Sequence, residues 1–249
     1  MTEPTFKDRR LSFGSAADRY DSLRPGYPTY SLVWGLHGGT RTVREVADVG
    51  AGTGLLTRSL VDLGLGVRAY EPDADMLEQL GAALPGVDRA QAAAESLPLP
   101  DESLDAVTAG QAWHWFDAPA AAAEFTRVLR PGGVVVLVWN TRDTRVPWMD
   151  ALSDIVDGGD SSRSNRTEAF EAIDAVHPGV VRADIPHRVL MTPDQVVGLI
   201  STYSYVNLRE DADDICTAVR ELVATHPHTR GRAVVEFPYV TATYRWTRP

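Results

Sequence analysis

Residues 48–54, with the sequence DVGAGTG, are the first stretch whose residue types and spacing suit ligand chemistry. Gly50, Gly52 and Gly54 can adopt backbone angles that other residues avoid, and without a Cβ they let a ligand lie against the main chain. An apolar run precedes them and leucines at helical spacing follow, which predicts a strand, a tight turn and a helix. We therefore interpret the turn as a candidate nucleotide cradle.

The spacing of the glycines indicates which nucleotide the turn serves. A dinucleotide site has the pattern G-x-G-x-x-G, and here Leu55 stands where the third glycine would be. Asp48, at the end of the predicted strand, can orient a cationic or amino-bearing group. Glu71, seventeen residues after Gly54, ends the next predicted strand, where a carboxylate can accept hydrogen bonds from a ribose diol. Together these residues predict a site for a nucleoside without phosphate, with a positive group nearby.

A second stretch with reactive side chains is QAWHWFD, residues 111–117. His114 stands between Trp113 and Trp115 at the predicted carboxyl end of a strand. Because imidazole titrates near neutrality, His114 either removes a proton from an acceptor group or only orients its neighbours. The two tryptophans either bury a substrate or pack the following helix, and we expect one of them to face the pocket.

Strands that alternate with helices are predicted to position both stretches. We predict strands at residues 46–49, 67–70, 87–92, 104–109 and 134–139, and helices at 55–63, 73–84 and 119–129. The strand at 134–139 has no polar face, which indicates a parallel sheet covered on both sides. The predicted fold is therefore α/β, a doubly wound, mostly parallel seven-stranded sheet. In such a sheet the ligand crevice lies at the carboxyl ends of the strands, beside the first one.

The segments on either side of this core are predicted to complete a single domain over residues 1–249. We predict an N-terminal helical cap at 13–40, a cofactor-binding core at 41–140, a helical lid insertion after the fifth strand at 141–178, and C-terminal strands and helices at 179–249. The lid has helical character at 147–156 and 167–176, and the C-terminal part has strands near 180–191 and 233–246 with helices at 193–203 and 212–224. No His, Cys or carboxylate cluster has the spacing of metal ligands, so we expect no metal.

Composition excludes several classes of partner. The chain has 24 basic and 34 acidic residues and a net charge of -10, which would repel a polyphosphate backbone, so we expect no nucleic acid. The longest apolar run, residues 134–139, is far shorter than the ~20 residues of a membrane span, and residues 1–10 lack the pattern of a signal peptide. The lone cysteine, Cys216, suits a reducing compartment. We expect a cytoplasmic monomer or homodimer without membrane contact.

In order and spacing, these stretches resemble the class I S-adenosylmethionine-dependent methyltransferases, and more closely the small-molecule branch that includes trans-aconitate-methyltransferase-like proteins. The resemblance runs from residue 13 to the final strand. It is carried by the stretches YDSLRPGYP, DVGAGTG, EPDADML, AESLPLPDESLDAV, QAWHWFD and RVLRPGG.

The resemblance implies S-adenosylmethionine as cofactor and S-adenosylhomocysteine as product. It assigns the following residues to cofactor binding: Asp48, Gly50, Ala51, Gly52, Glu71, Pro72, Ala94, Glu95 and Gln111, with Tyr20 and Arg24 of the leader. Glu71 would bind the ribose hydroxyls, Ala94 and Glu95 would lie against the adenine, and Gln111 would face the methionine portion. Many relatives have an acid at the position of Ala93 that holds the adenine amino group, so here that contact must come from backbone or from Glu95.

The implied reaction is methyl transfer to an O, N or C atom of a small-molecule acceptor, with His114 as the catalytic candidate. Candidate acceptor contacts are Trp113, Trp115, Trp139, Trp148 and Tyr203, and an aromatic or polyketide-like acceptor would use Trp148, Tyr203 and Tyr205 with the tryptophans. A polycarboxylate acceptor would instead use cationic anchors in the lid, for which Arg142, Arg145, Arg163 and Arg166 are available. The alternative is a non-methylating protein on the same fold, either a cofactor-assisted cyclase or isomerase or a binding-only regulator.

Overall fold

The computed structural model describes residues 23–158 and 179–249. The predictions for Tyr20, Arg163, Arg166 and the helix at 167–176 lie outside these residues. Within them the chain divides into two compact units. The larger unit contains residues 26–140, 179–185 and 241–249, and the smaller unit contains residues 23–25, 141–158 and 186–240.

The described elements follow the predicted alternation of strands and helices. In chain order they are α1 (Thr29–Leu36), β1 (Glu45–Val49), α2 (Leu55–Asp62), β2 (Gly66–Tyr70), α3 (Ala74–Ala83), β3 (Asp88–Ala90), β4 (Leu104–Gly110), α4 (Ala118–Val128), β5 (Leu129–Arg142), α5 (Pro147–Asp157), β6 (Val181–Met191), α6 (Pro193–Ser201), α7 (Ser204–Asn207), α8 (Ala212–Thr225) and β7 (Val235–Thr247). The predicted strands and helices that fall within the described residues are confirmed, with ends that differ by a few residues. The short helix α7 is absent from the prediction.

Seven strands of the described residues form one sheet in the order β3-β2-β1-β4-β5-β7-β6. β1 pairs in parallel with β2 and β4, β2 pairs in parallel with β3, and β4 pairs in parallel with β5. Hydrogen bonds at the two ends of β5 show that β7 runs antiparallel to it. The N–H of Gly132 donates to the carbonyl of Arg248, and the N–H of Asp143, later in the chain, donates to the carbonyl of Pro238, which is earlier. The prediction of a mostly parallel seven-stranded sheet is confirmed.

The two faces of β5 pack against different helices of the larger unit. Val134 and Val136 belong to a buried cluster with leucines of α1 and α2. Val135 and Leu137 belong to a second cluster that contains Phe125 of α4. Because alternate residues of a strand point to opposite faces, helices cover this sheet on both sides, as its uniformly apolar sequence predicts.

The start of β5 differs from the prediction. α4 ends at Val128, and Leu129 begins the strand instead of extending the apolar face of the helix. Between Leu129 and Val134 the pairing with β4 shifts register, because Leu129 lies opposite Leu104 while Val134 lies opposite Ala106. The sequence Pro-Gly-Gly between them accounts for this bulge, since proline has no N–H to pair and Gly132 has a φ of 77°.

The smaller unit has its own apolar core. Trp148, Met149 and Leu152 of α5 are buried in one cluster with side chains of α6 and α8. α6 begins with a capping box, in which Thr192 accepts from the N–H of Gln195 and the Gln195 side chain accepts from the N–H of Thr192. Among the described helices, none has the length and apolar character needed to cross a membrane.

Candidate functional site

The glycine turn lies between β1 and α2 in the larger unit. The N–H groups of Gly50 and Ala51 both donate to the carbonyl of Tyr70, at 2.8 and 3.1 Å, which holds the turn against the end of β2. Gly50 has a φ of 67°, and a Cβ there would lie 2.7 Å from that of Ala112. Gly52 has a φ of 56°, and among residues 23–158 and 179–249 the nearest atom to a Cβ there is the sulfur of Met76, 3.9 Å away. The turn is therefore closed at Gly50 and open at Gly52.

This contrast predicts different stability losses for two alanine variants. Gly50→Ala and Gly52→Ala both place a Cβ in the left-handed region, at about 1–2 kcal/mol. Gly50→Ala also forces an overlap with Ala112, which adds about 1–3 kcal/mol. Urea denaturation should therefore give the lower free energy of unfolding for Gly50→Ala. Equal losses in the two variants would contradict the open space at Gly52.

Glu71 follows β2 and connects that strand to the glycine turn. Its side chain is buried, with 7% of the residue exposed. Oε2 accepts from the N–H of Gly52 at 2.9 Å, and Oε1 accepts from the N–H of Asp73 at 3.0 Å. A carboxylate has two oxygens and about four acceptor positions in all. A ribose diol beside the open face of Gly52 would fit these acceptors. The carbonyl of the neighbouring Pro72 accepts from the side chain of Gln91.

Asp48 lies behind the turn, fully buried. Its Oδ2 accepts from the hydroxyl of Thr57 at 2.6 Å, and Oδ1 is 3.4 Å from the hydroxyl of Thr108. Burial raises the pKa of Asp48 to about 7; the threonine hydrogen bonds oppose this shift and the charge of Glu71 adds to it. The carboxyl group thus links β1, β4 and α2 in the interior, and direct contact between Asp48 and a ligand stays a prediction.

The loop at residues 93–100 carries the residues predicted to face adenine. Ala94 is buried, and a single bridge pairs Ala93 with Ser96. Oε1 of Glu95 accepts from the N–H of Asp117 at 2.8 Å, and Asp117 in turn caps the first turn of α4. Glu95 therefore fastens this loop to the start of α4, a contact that the sequence does not reveal.

Gln111 follows the carboxyl end of β4 with a φ of 57°, in the left-handed region. Its N–H donates to the carbonyl of Val138, and its side-chain nitrogen donates to the carbonyl of Asn140 at 3.2 Å. A non-glycine residue in this region is strained, and such residues cluster at functional sites. This geometry supports the interpretation of Gln111 as a site residue.

Tyr27 and Asn140 are site candidates that the sequence analysis did not assign. The side chain of Asn140 donates to the carbonyl of Gly26 at 3.1 Å and accepts from the hydroxyl of Thr241 at 2.6 Å. The hydroxyl oxygen of Tyr27 lies 2.6 Å from the position of a Cβ on Gly110, the last residue of β4. Tyr27 thus lies against the carboxyl end of β4. The stretch YDSLRPGYP, which contains Tyr27, is the sequence signal from which that residue could have been assigned to the site.

His114 belongs to a short 3-10 turn, Trp113–Trp115, after β4. Its exposed ring lies 4.6 Å, between centroids, from the ring of Trp115. Trp113 is 2% exposed and packs edge-on against Phe116 and Trp246. Of the two tryptophans, Trp113 therefore belongs to the core, and Trp115 is the half-buried one.

The other predicted acceptor residues are also buried, but they are divided between the units. In the larger unit, Trp139 packs against Tyr244 at a centroid distance of 5.8 Å. In the smaller unit, Trp148 packs against Phe237, and Tyr203 is covered by the guanidinium of Arg24, 5.0 Å from its ring centre. These contacts explain core packing in each unit. Acceptor binding by Trp139, Trp148 or Tyr203 stays a prediction.

The described arginines of the predicted lid are paired within the smaller unit. Arg142 is buried, and its Nη2 donates to both oxygens of Asp157 at 2.7 and 2.8 Å. Arg145 pairs with Asp143 at 2.7 Å. Two of the four anchors considered for a polycarboxylate thus have carboxylate partners within the protein. Across residues 23–158 and 179–249, no group of three or more His, Cys, Asp or Glu side chains is placed to hold a metal ion.

Known methyltransferases are similar to this chain in sequence and in structure. The family described as a methyltransferase domain matches residues 47–137. The chain is similar to an uncharacterized methyltransferase of Mycobacterium tuberculosis, with 40% identity over 246 residues, 97% of each chain. A solved structure described as a type II methyltransferase from Anaeromyxobacter dehalogenans is similar with a TM-score of 0.69 and 26% identity, covering 90% of this chain and 98% of that one.

A more distant structure shares the fold. The phosphoethanolamine N-methyltransferase 2 of Haemonchus contortus, solved with S-adenosylhomocysteine, has a TM-score of 0.56 and 15% identity, covering all of this chain and 60% of that one. The strand order, the glycine turn and the relative that is similar over 97% of each chain all indicate the same family. The chain belongs to the methyltransferases and has their class I Rossmann-like fold.

Proposed function

We propose that this protein transfers a methyl group from S-adenosylmethionine to an O, N or C atom of a small-molecule acceptor and releases S-adenosylhomocysteine. One observation carries the proposal: the Glu71 carboxylate is held by the N–H of Gly52, beside the open face of the glycine turn. This arrangement suits a nucleoside without phosphate, since it offers a carboxylate for the ribose and bare main chain for close approach.

The residues around the carboxyl ends of the strands have distinct roles in this proposal. Glu71 accepts hydrogen bonds from the ribose hydroxyls, and the backbone at Gly50–Gly52 allows the ligand to approach. The loop at residues 93–100 lies against the base, and Gln111 and Tyr27 line the methionine side. When bound, S-adenosylmethionine supplies a methyl carbon made electrophilic by its sulfonium. The protein contributes alignment of the acceptor and exclusion of water.

His114 is the candidate for proton removal from the acceptor. It lies directly after β4, on the same turn as the half-buried Trp115. An exposed imidazole there is accessible to an acceptor, and histidine is the side chain that most often serves in general acid–base catalysis. It serves either as general base or as an orienting group, and a variant that keeps hydrogen bonding without basicity, His114→Asn, separates these roles through the pH profile of turnover.

The paired arginines bear on the class of acceptor. Arg142 donates to Asp157, to Ser153 at 2.9 Å and to Tyr205 at 3.2 Å, so its guanidinium is engaged inside the smaller unit. This favours an aromatic or neutral acceptor over a polycarboxylate. We further propose one methyltransferase domain with a cap and a lid, active in the cytoplasm as a monomer or homodimer, without nucleic acid or membrane partners.

Isothermal titration with S-adenosylhomocysteine tests the proposal, with an expected dissociation constant in the micromolar range. Incubation with methyl-labelled S-adenosylmethionine and a panel of small acceptors then separates methyl transfer from the alternative chemistry. Product without transferred label would favour a cofactor-assisted cyclase or isomerase. A folded protein that does not bind S-adenosylhomocysteine would refute the assignment.

A further inference from the structure

The loop at residues 93–100 depends on α4 for its backbone hydrogen bonds. Two prolines in this loop, Pro98 and Pro100, prevent regular strand pairing, so its polar backbone groups need other partners. The N–H of Leu97 donates to Oε1 of Glu124 at 2.6 Å. Arg127 donates to the carbonyl of Leu99 at 2.9 Å and to that of Leu97 at 3.3 Å. Two side chains of one helix thus satisfy this part of the loop.

Arg127 is placed to make these contacts by two carboxylates. Its Nε and Nη2 donate to the two oxygens of Glu124 at 2.8 and 2.7 Å, and its Nη1 donates to Asp101 at 2.6 Å. The Glu124 side chain is 11% exposed. The hydrogen bond from Arg127 holds the pKa of Glu124 below its ordinary value, so the pair is ionised at neutral pH. A guanidinium fork can make these bonds in parallel, whereas a lysine ammonium cannot.

The other end of the same loop is also tied to α4. Glu95 accepts from the N–H of Asp117, which begins that helix. Ala94 precedes both attachment points, Glu95 and Leu97, and is 4% exposed within the turn closed by the Ala93–Ser96 bridge. The backbone that follows Ala94 is therefore fixed by the contacts of Glu95 and Leu97 with one helix.

We propose that Arg127, with Glu124, is a positioning residue that sets the backbone of residues 93–97 so that it distinguishes the 6-amino group of adenine. The inference rests on the proposed cofactor site. It has a specific reason in this chain: Ala93 has no carboxylate to offer an adenine amino group, so backbone position and Glu95 alone must provide the discrimination. Arg127 acts on the base only through the loop.

The test compares two ligands that differ at the base, S-adenosylhomocysteine and S-inosylhomocysteine, which has a 6-oxo group. Titration of the full chain should show about tenfold preference for the adenine ligand, the effect of roughly one hydrogen bond. In Arg127→Met the ratio of the two dissociation constants should fall about three- to tenfold. Arg127→Lys keeps the charge but not the fork, and should lower the ratio less.

Arg130→Met is the matched control. Arg130 lies in the same stretch, RVLRPGG, and pairs at 2.8 Å with Asp105, which is away from the loop. Its loss removes the same charge and a similar ion pair, so the ratio should equal that of the unaltered protein. General destabilisation would weaken both ligands equally and leave the ratio unchanged.

Three outcomes overturn the inference. An unchanged ratio in folded Arg127→Met, or in Arg127→Lys if the methionine variant does not fold, refutes it while leaving the proposed function intact. A full-chain protein that binds both ligands equally does the same, since the loop would then not distinguish the base. If the full chain binds neither ligand, the proposed function fails and this inference fails with it.

Discussion

Glu71→Ala is expected to weaken S-adenosylhomocysteine binding by at least about a hundredfold. The variant loses the carboxylate that we assign to the two ribose hydroxyls, and charge-assisted hydrogen bonds contribute about 1.5–3 kcal/mol each. Two such bonds correspond to roughly a hundredfold or more in the dissociation constant. The variant also leaves the N–H of Gly52 without its acceptor, so the turn is no longer held in its open form. Isothermal titration measures the effect directly.

Glu78→Ala provides the control for this loss of negative charge. Glu78 lies on α3, a few residues after Glu71, and its side chain is exposed. The same change in net charge should therefore leave the dissociation constant within about twofold of the original value. If Glu71→Ala and Glu78→Ala bound S-adenosylhomocysteine equally well, the carboxylate at the end of β2 would have no part in ligand recognition.

Asp48→Asn is expected to remove a large pH dependence of stability. The unfolded carboxyl group ionises near 3.8, whereas burial raises its pKa to about 7 in the folded protein. Between these values only the folded state retains the proton, so a rise in pH favours unfolding and the loss is complete above pH 7. It amounts to about 4 kcal/mol at most. The variant should therefore gain stability over the original protein as pH rises from 5 to 8.

Urea denaturation without ligand at pH 5, 6, 7 and 8 tests this prediction. Asp105→Asn is a control of opposite sign, because burial raises the pKa of Asp105 but is outweighed by hydrogen bonds from the N–H of Glu45 and from Arg130, and the net shift is downward. Asp105 stabilises the fold when ionised and loses this contribution only as pH falls below 3.8, so between pH 5 and 8 the stability of Asp105→Asn should run parallel to that of the original protein. Parallel curves for Asp48→Asn and the original protein would contradict the prediction.

Site residues that lie at the carboxyl ends of strands could be predicted from the sequence. A run of apolar residues, a break and a helical repeat identify the end of each strand, and in a parallel sheet those ends lie along one edge. Glu71 and Gln111 could therefore be assigned to the site by position alone. The order of the central strands follows from the same pattern once the fold class is known.

Contacts between distant segments could not be predicted in this way. Asn140 forms hydrogen bonds with Gly26, 114 residues earlier in the chain, and with Thr241 of β7, 101 residues later. Arg127 reaches Leu97 across 30 residues. The periodicity of the sequence predicts neither set of partners, because many polar residues of similar type occupy equivalent positions. The early start of β5 was missed for a local reason: a Pro-Gly-Gly sequence usually ends an element, whereas here it forms a bulge within one.

The place of β7 in the sheet has a consequence for how the chain folds during translation. β7 is the last strand in chain order, yet it lies between β5 and β6. During synthesis β6 therefore has no strand to pair with until α6, α7, α8 and finally β7 have been made. Its exposed residues include Arg182, Asp184, Pro186 and Arg188. Charges and a proline on an unpaired strand discourage pairing with strands of other chains, so these exposed residues of β6 are of the kind that limits aggregation.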